Sequence, residues 1–183
     1  TEFRHRRKRL KKILVTMGGS DPNNDTLKVL ESIRQLKGDF SLNVVVGAAN
    51  NYADEIVQAA ELLDSCVVYQ SVNDMSELIA RSDLAISAGG TTLWEFAYSG
   101  LPTLIIAVAD NQLSLAKSVA HSGGGIFLGA SKSVDTELIA TRMQSLLEDN
   151  SAISSMSESM LQLVDGDGRK RVANVLMLSL IHI

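Results

Sequence analysis

The sequence predicts an α/β fold, a parallel sheet covered by helices on both faces, and three observations predict it. Runs rich in Val, Ile and Leu (KILVTM at 12–17, LNVVV at 42–46, TLIIA at 103–107) alternate with amphipathic stretches at short spacing, the pattern of strands buried on both faces. Glycine pairs, Gly18-Gly19 and Gly89-Gly90, stand where two strands end. With the loop Asp110-Asn111-Gln112 they place three connections beyond strand carboxyl ends, where such sheets bind ligands, so the three loops are expected to converge on one crevice.

Each element has its own signal. Lys12–Met17 is a strand stopped by Gly18-Gly19 and the turn formers Ser20, Asp21 and Pro22. Asn24 is placed to cap the next helix, where Leu27, Leu30, Ile33 and Leu36 keep one face apolar up to Lys37-Gly38. Leu42–Val46 is the second strand, residues 47–51 a polar turn, Tyr52–Leu63 the second helix and Val67–Tyr69 a short third strand. Asp74 and Glu77 suggest a capping box for a helix over Met75–Ala80, and Leu84–Ser87 is the fourth strand. The helix after Gly89-Gly90 stops at Ser99-Gly100, where glycine supplies a left-handed cap. Thr103–Ala107 follows Pro102, the loop 108–112 enters a helix ending at 121–124, and Ile126–Leu128 is the sixth strand. Helices then cover Thr136–Leu147 and Ile153–Leu163.

The stretch LAISAGGTTLWE (84–95) carries the chemistry. A strand that turns through two glycines into a helix bares backbone N–H groups at the positive end of the helix dipole, which suits an anion. Gly90 permits close backbone approach, and Thr91 and Thr92 can cap the helix or donate hydroxyls. Glu95 follows Thr92 by three, so the alternative is a capping box in which its carboxylate returns to the Thr92 N–H and binds nothing.

Charge and composition narrow the partners. Seven of the 17 basic residues fall within the first twelve positions, leaving ten basic against twenty acidic residues in an acidic body unsuited to nucleic acid. The basic run, residues 1–11, reads as a solvated interdomain linker rather than a nucleic-acid arm, since no aromatic or amphipathic pattern accompanies it. A chain of 183 residues, 45% of them hydrophobic, can bury one core; Thr1 is not an initiator Met, so a larger polypeptide is expected. Cys66 is the sole cysteine, which excludes an internal disulfide or Cys-based zinc site and fits a reducing cytoplasm. No apolar run reaches the roughly 18 residues of a membrane span.

There is no GxxxxGK[ST] P-loop, no GxGxxG after the first strand, and no paired carboxylate cluster for a metal, since Asp21 and Asp110 stand alone. No cofactor is implied. His121, at a helix C-terminus, fits a capping role better than a catalytic triad.

The ordered set ILVTMGGSDPNNDT, SVNDMSELI, SAGGTTLWE, GLPTLI and DNQ resembles the C-terminal, Rossmann-like half of a GT-B nucleotide-sugar protein, from Lys12 to about Val172 and including VDGDGRKRV. It is similar above all to the UDP-sugar hydrolases of pseudaminic acid biosynthesis and their spore-coat polysaccharide relatives, and more distantly to the lipid-linked muramyl N-acetylglucosamine transferases. The resemblance implies a UDP-sugar ligand. Glu95 would accept from the ribose hydroxyls; Thr91, Thr92 and the amides around Gly90 would hold the pyrophosphate; and Gly18, Gly19 and Ser20 would approach the phosphates from the other side. Val72 would meet uracil through its backbone, and Asn111 and Gln112 would face the sugar. Each also has a plainer role: Ser20 as a turn former, Asn111 as a helix cap, Val72 as core.

In the hydrolases, water attacks a UDP-linked 2,4-diacetamido-2,4,6-trideoxy sugar with C–O cleavage and release of UDP. The resemblance places the general base, a histidine, in an N-terminal domain outside this chain, so no catalytic residue is assigned here. The GGSDPNN and DNQ loops favour the hydrolase; a transferase half, or a binding module without chemistry, is the alternative. Residues 12–165 form the UDP-sugar-binding domain and 166–177 a helix expected to cross back to the N-terminal domain. The tail LSLIHI (178–183) resembles a translated sequencing adapter, against an ordinary apolar helix end.

Overall fold

Residues 3–181 are described in the computed structural model, with side chains described through Met177. Six short, apolar, β-branched segments form strands: β1 Lys12–Thr16, β2 Ser41–Val46, β3 Cys66–Gln70, β4 Leu84–Ala88, β5 Thr103–Ala107 and β6 Gly125–Ala130. All pair in parallel, in the order β3-β2-β1-β4-β5-β6. This is the doubly wound order, and the crossover direction reverses between β1 and β4. The expected parallel sheet with helices on both faces is the fold observed.

Strand alternation divides the core in two. Ile13, Val15, Val44, Leu104 and Ile106 face α1 (Asp25–Ile33), α2 (Ala53–Ala60) and α6 (Thr136–Glu148). On the opposite face Leu14, Ala85 and Ile105 meet α3 (Ser76–Arg81), α4 (Thr92–Ser99) and α5 (Leu113–His121). Phe96 of α4 is fully buried, worth about 2–3 kcal/mol of transfer free energy. α7 (Asn150–Leu163) supplies Ile153 and Met156 to the first cluster and Met160 to the second. α4 ends as expected: Gly100 takes φ 77°, and its N–H and that of Leu101 turn back onto Ala97 and Phe96 carbonyls.

Several local expectations are corrected. The side chain of Asn24 does not cap α1: Asn24 is left-handed (φ 51°), and buried Asp21 does the capping, its two oxygens accepting the Asp25 and Thr26 N–H groups at 2.8 and 2.9 Å. The helix also ends one turn early, at Ile33. Asp74 accepts from the Ser76 N–H while Glu77 pairs with Arg81, so no box closes around α3. Ser122, rather than His121, serves the end of α5, its hydroxyl donating to the Val119 carbonyl.

The basic segment is not solvated throughout. Arg4 donates to the Tyr98, Leu161 and Val164 carbonyls and lies 5.1 Å from the Tyr98 ring centre, and Arg7 is buried. A last helix, α8 (Gly168–Ile181), follows the Asp165–Asp167 turn, and its Val172, Val175, Leu176 and Met177 are about 60% exposed. The adapter-like tail falls on residues 178–183, whose side chains lie outside the described residues. Among the described residues no helix is long and apolar enough to cross a membrane.

Candidate functional site

The carboxyl ends of β1, β2 and β3 and the start of α4 enclose a cleft of about 320 Å³. One wall is Thr16 with Gly18 and Gly19; a second is Val45, Val46, Gly47 and Ala48; a third is Ser71, Val72, Asn73 and Met75; Thr92 of α4 closes it. It lies beside the gap where the sheet reverses its winding, the place such folds use for ligands.

Backbone accounting explains why it is polar. The Gly18, Gly19 and Ser20 N–H groups, and those of Gly90 and Thr91, donate to no other backbone group among the described residues. Gly18, Gly19 and Ser20 are exposed, and Gly18 takes φ 83°, a conformation that favours glycine. Two loops thus present unpaired donors, one after β1 and one at the start of α4, where the dipole adds partial positive charge.

Close packing holds this geometry. A Cβ on Gly47 would stand 2.3 Å from the Gly19 carbonyl oxygen and 2.5 Å from that of Gly18, so the β2 loop lies directly against the glycine pair. The Ala49 N–H donates to the same Gly19 oxygen at 3.1 Å. A Cβ on Gly89 would press on Gln112 at 3.1 Å, whereas Gly90 has only the Gln112 carboxamide nitrogen at 3.8 Å. The glycines that close approach requires are therefore 47 and 89. Gly47 went unread in the sequence because a lone glycine in a polar turn shows nothing of what faces it; Ser71, at φ 54°, likewise.

The predicted residues are partly brought together. Gly18, Gly19, Val72 and Thr92 line the cleft, and Ser20, Gly90 and Thr91 extend its rim along the chain. Val72 is half-buried and packs on the second core cluster as well. Glu95 is exposed on the first turn of α4 and makes no hydrogen bond among the described residues, so the capping box with Thr92 does not form.

The third loop meets the Gly89-Gly90 loop through Gln112 and does not itself line the cleft. Asp110–Gln112 forms a short 3-10 turn, Asn111 is exposed, and Gln112 accepts from the Val108 N–H at 3.1 Å while packing behind Gly89. Asp110 borders a separate space of about 130 Å³ with Asn23 and Ser131. A larger hollow, about 450 Å³, opens along β2 and β3 between Asn43, Tyr69 and Leu78, where six-residue α3 is too short to cover the sheet. It shares Val72 with the cleft, but none of the bared amides lines it. Among the described residues no group of three His, Cys, Asp or Glu side chains could hold a metal ion.

A doubly wound sheet with a glycine-walled cleft at its switch point defines a Rossmann-like domain, and the fold is shared with solved structures that include glycosyltransferases and a UDP-N-acetylglucosamine 2-epimerase. The chain aligns with Acinetobacter baumannii MurG at a TM-score of 0.78 and 18% identity, over 96% of this chain and 52% of that one. It aligns with S. aureus MnaA, solved with UDP, at 0.76 and 18%, over 95% and 47%. At the family level, the model of the glycosyltransferase family 28 C-terminal domain matches residues 12–172, and the chain belongs to that family. It is 30% identical to the spore coat polysaccharide biosynthesis protein SpsG of Bacillus subtilis (strain 168), over 93% of this chain and 51% of the relative. It is 25% identical to the UDP-N-acetylglucosamine–N-acetylmuramyl-(pentapeptide) pyrophosphoryl-undecaprenol N-acetylglucosamine transferase of Sulfurovum sp. (strain NBC37-1), over 89% and 48%. The chain therefore spans about half the length of these relatives.

Proposed function

We propose that this chain is the nucleotide-sugar-binding half of a cytoplasmic glycosyltransferase of the GT-B class, taking a UDP-sugar in the cleft between β1, β2 and α4. The observation that carries the reading is the pair of loops, at Gly18–Ser20 and Gly90–Thr91, whose N–H groups lack backbone acceptors and flank one cleft. Such donors suit a pyrophosphate without a metal ion, because neutral N–H groups and a helix dipole offset the charge. Thr91 and Thr92 add hydroxyls, Glu95 receives the ribose, and the backbone at Val72 meets the base. Asn111 and Gln112 stand nearest the sugar, with Gln112 already partly committed to Val108.

Transfer is favoured over hydrolysis by the family model and by the names of the relatives; the loops GGSDPNN and DNQ that favoured a hydrolase carry no chemistry of their own. The pseudaminic acid pathway has no support beyond the resemblance. The acceptor side and any general base would belong to an N-terminal half, and the exposed apolar stripe of α8 is a surface that such a half would cover. In this chain alone a bound sugar has neither a positioned base nor a closed cleft.

Calorimetric titration with UDP, with and without EDTA, beside an assay of UDP release from a UDP-sugar, tests the reading. Binding indifferent to EDTA and no release are expected. Binding abolished by EDTA contradicts the neutral-donor site. Release at the rate of a full-length relative contradicts the need for a second half.

A further inference from the structure

Arg7 is 1% exposed, and none of the ion pairs among the described residues includes it. Its guanidinium donates to main-chain carbonyls instead: Nε to Ser82 at 3.1 Å, Nη2 to Ile79 at 2.9 Å, and Nη1 to Ser99 and, at 2.9 Å, to His5. Ile79 and Ser82 lie at the C-terminal end of α3, and Ser99 is the last residue of α4. These carbonyls stand at the negative ends of two dipoles, and those of Ile79 and Ser99 also accept the Ser82 and His5 N–H groups at 3.3 Å. Burial pulls the guanidinium down to about 10, with Asp83 pulling it back up, so it stays charged at neutral pH.

A buried cation held only by carbonyls is not an economical way to fill space, since an apolar side chain of similar volume is often as stabilising. What an apolar group cannot do is fix the spacing of several carbonyls, which a planar fork does. The helices it joins are short, roughly 9 Å for α3 and 12 Å for α4 at 1.5 Å per residue. At their other ends Met75 and Thr92 line the cleft. The clamp is itself anchored: the Arg7 N–H donates to Ser157 Oγ at 2.8 Å, and Asp83 accepts the Lys11 and Lys12 N–H groups at 3.0 and 2.8 Å.

We propose that Arg7 is a positioning residue for the cleft, holding α3 and α4 at their C-terminal ends so that the 72–75 loop and the start of α4 keep a fixed separation at the far end. The segment before β1 thereby couples mechanically to a nucleotide site about one helix length away. The inference rests on the reading of that cleft as the nucleotide site.

Arg7→Lys keeps the charge and loses the fork; Arg7→Met keeps much of the volume and loses both; Arg6→Ala removes an exposed neighbour paired with Glu158 and serves as control. Amide exchange of the unliganded protein is followed at residues 72–76 and 89–93, with α6, on the opposite face of the sheet, as internal reference. Both Arg7 variants are expected to speed exchange at least tenfold in the two cleft segments, to leave α6 unchanged, and to raise the Kd for UDP about tenfold; Arg6→Ala does neither. If Arg7→Met fails to fold, Arg7→Lys decides. Acceleration shared equally by α6, or an unchanged Kd in a folded Arg7→Lys protein, overturns the proposal. Failure of the unaltered chain to bind UDP counts against the nucleotide reading instead, and the exchange pattern still decides the role of Arg7.

Discussion

Replacing Glu95 separates ligand binding from helix capping. The carboxylate is exposed, on the first turn of α4, and has no hydrogen-bond partner among the described residues. Its removal in Glu95→Ala should therefore cost no more than about 0.5 kcal/mol of stability, the range for surface substitutions away from special features. A carboxylate closing a capping box would instead cost about 1 kcal/mol. If Glu95 accepts from the ribose hydroxyls, the variant loses charge-assisted hydrogen bonds worth about 1.5–3 kcal/mol, which weakens UDP binding roughly 10- to 140-fold. Glu95→Gln, which keeps an acceptor without the charge, should fall between. Chemical unfolding and UDP titration on the same three proteins give both numbers. Unchanged affinity with lowered stability would refute the ribose role.

Gly47→Ala should push the glycine pair out of place, because its Cβ would sit 2.3 Å from a backbone oxygen; about 1–3 kcal/mol of stability and at least tenfold in UDP affinity are expected to go. Gly90→Ala, with its nearest neighbour at 3.8 Å, should by contrast stay within about 0.5 kcal/mol in an unfolding titration. Asp21→Ala leaves two α1 N–H groups unpaired in a buried place and should cost about 2 kcal/mol, read by denaturant midpoint. Arg171 holds the Asp165 carboxyl down to about 2, so this pair is intact above the ordinary carboxylate range and is lost as the pH falls toward 2. The protection factors of amides at the start of α8, which correct for the intrinsic pH dependence of exchange, should fall in that acid window and hold between pH 5 and 8. Deleting residues 178–183 should leave melting unchanged within about 0.5 kcal/mol if the tail is adventitious.

The alternation of apolar strands and amphipathic helices made the sheet legible, because strands buried on both faces leave little else for Val15, Val44 or Ile105 to do. Termini were less legible for a specific reason: capping depends on where a side chain points. Asp21 and Asn24 are both good capping types three residues apart, and only the chain's turn through left-handed Asp21 and Asn24 selects the first. The basic run misled because charge pattern alone does not show helix C-termini, from distant parts of the chain, that offer carbonyls to Arg4 and Arg7. In the cleft, Gly18, Gly19 and Thr92 were readable from strand-turn-helix grammar. Gly47 and Ser71 matter through contacts between loops that no local pattern encodes.

The central claim is that a nucleotide sits among the bared amides of the β1 and β4 loops. Heteronuclear NMR of the chain titrated with UDP tests this most directly. The account predicts that the amides of Gly18, Gly19, Gly47, Val72, Gly90 and Thr91 shift together and saturate with one dissociation constant, unaffected by EDTA. Shifts confined to the larger hollow at Asn43, Tyr69 and Leu78, or no saturable shift at the two glycine loops, would contradict it.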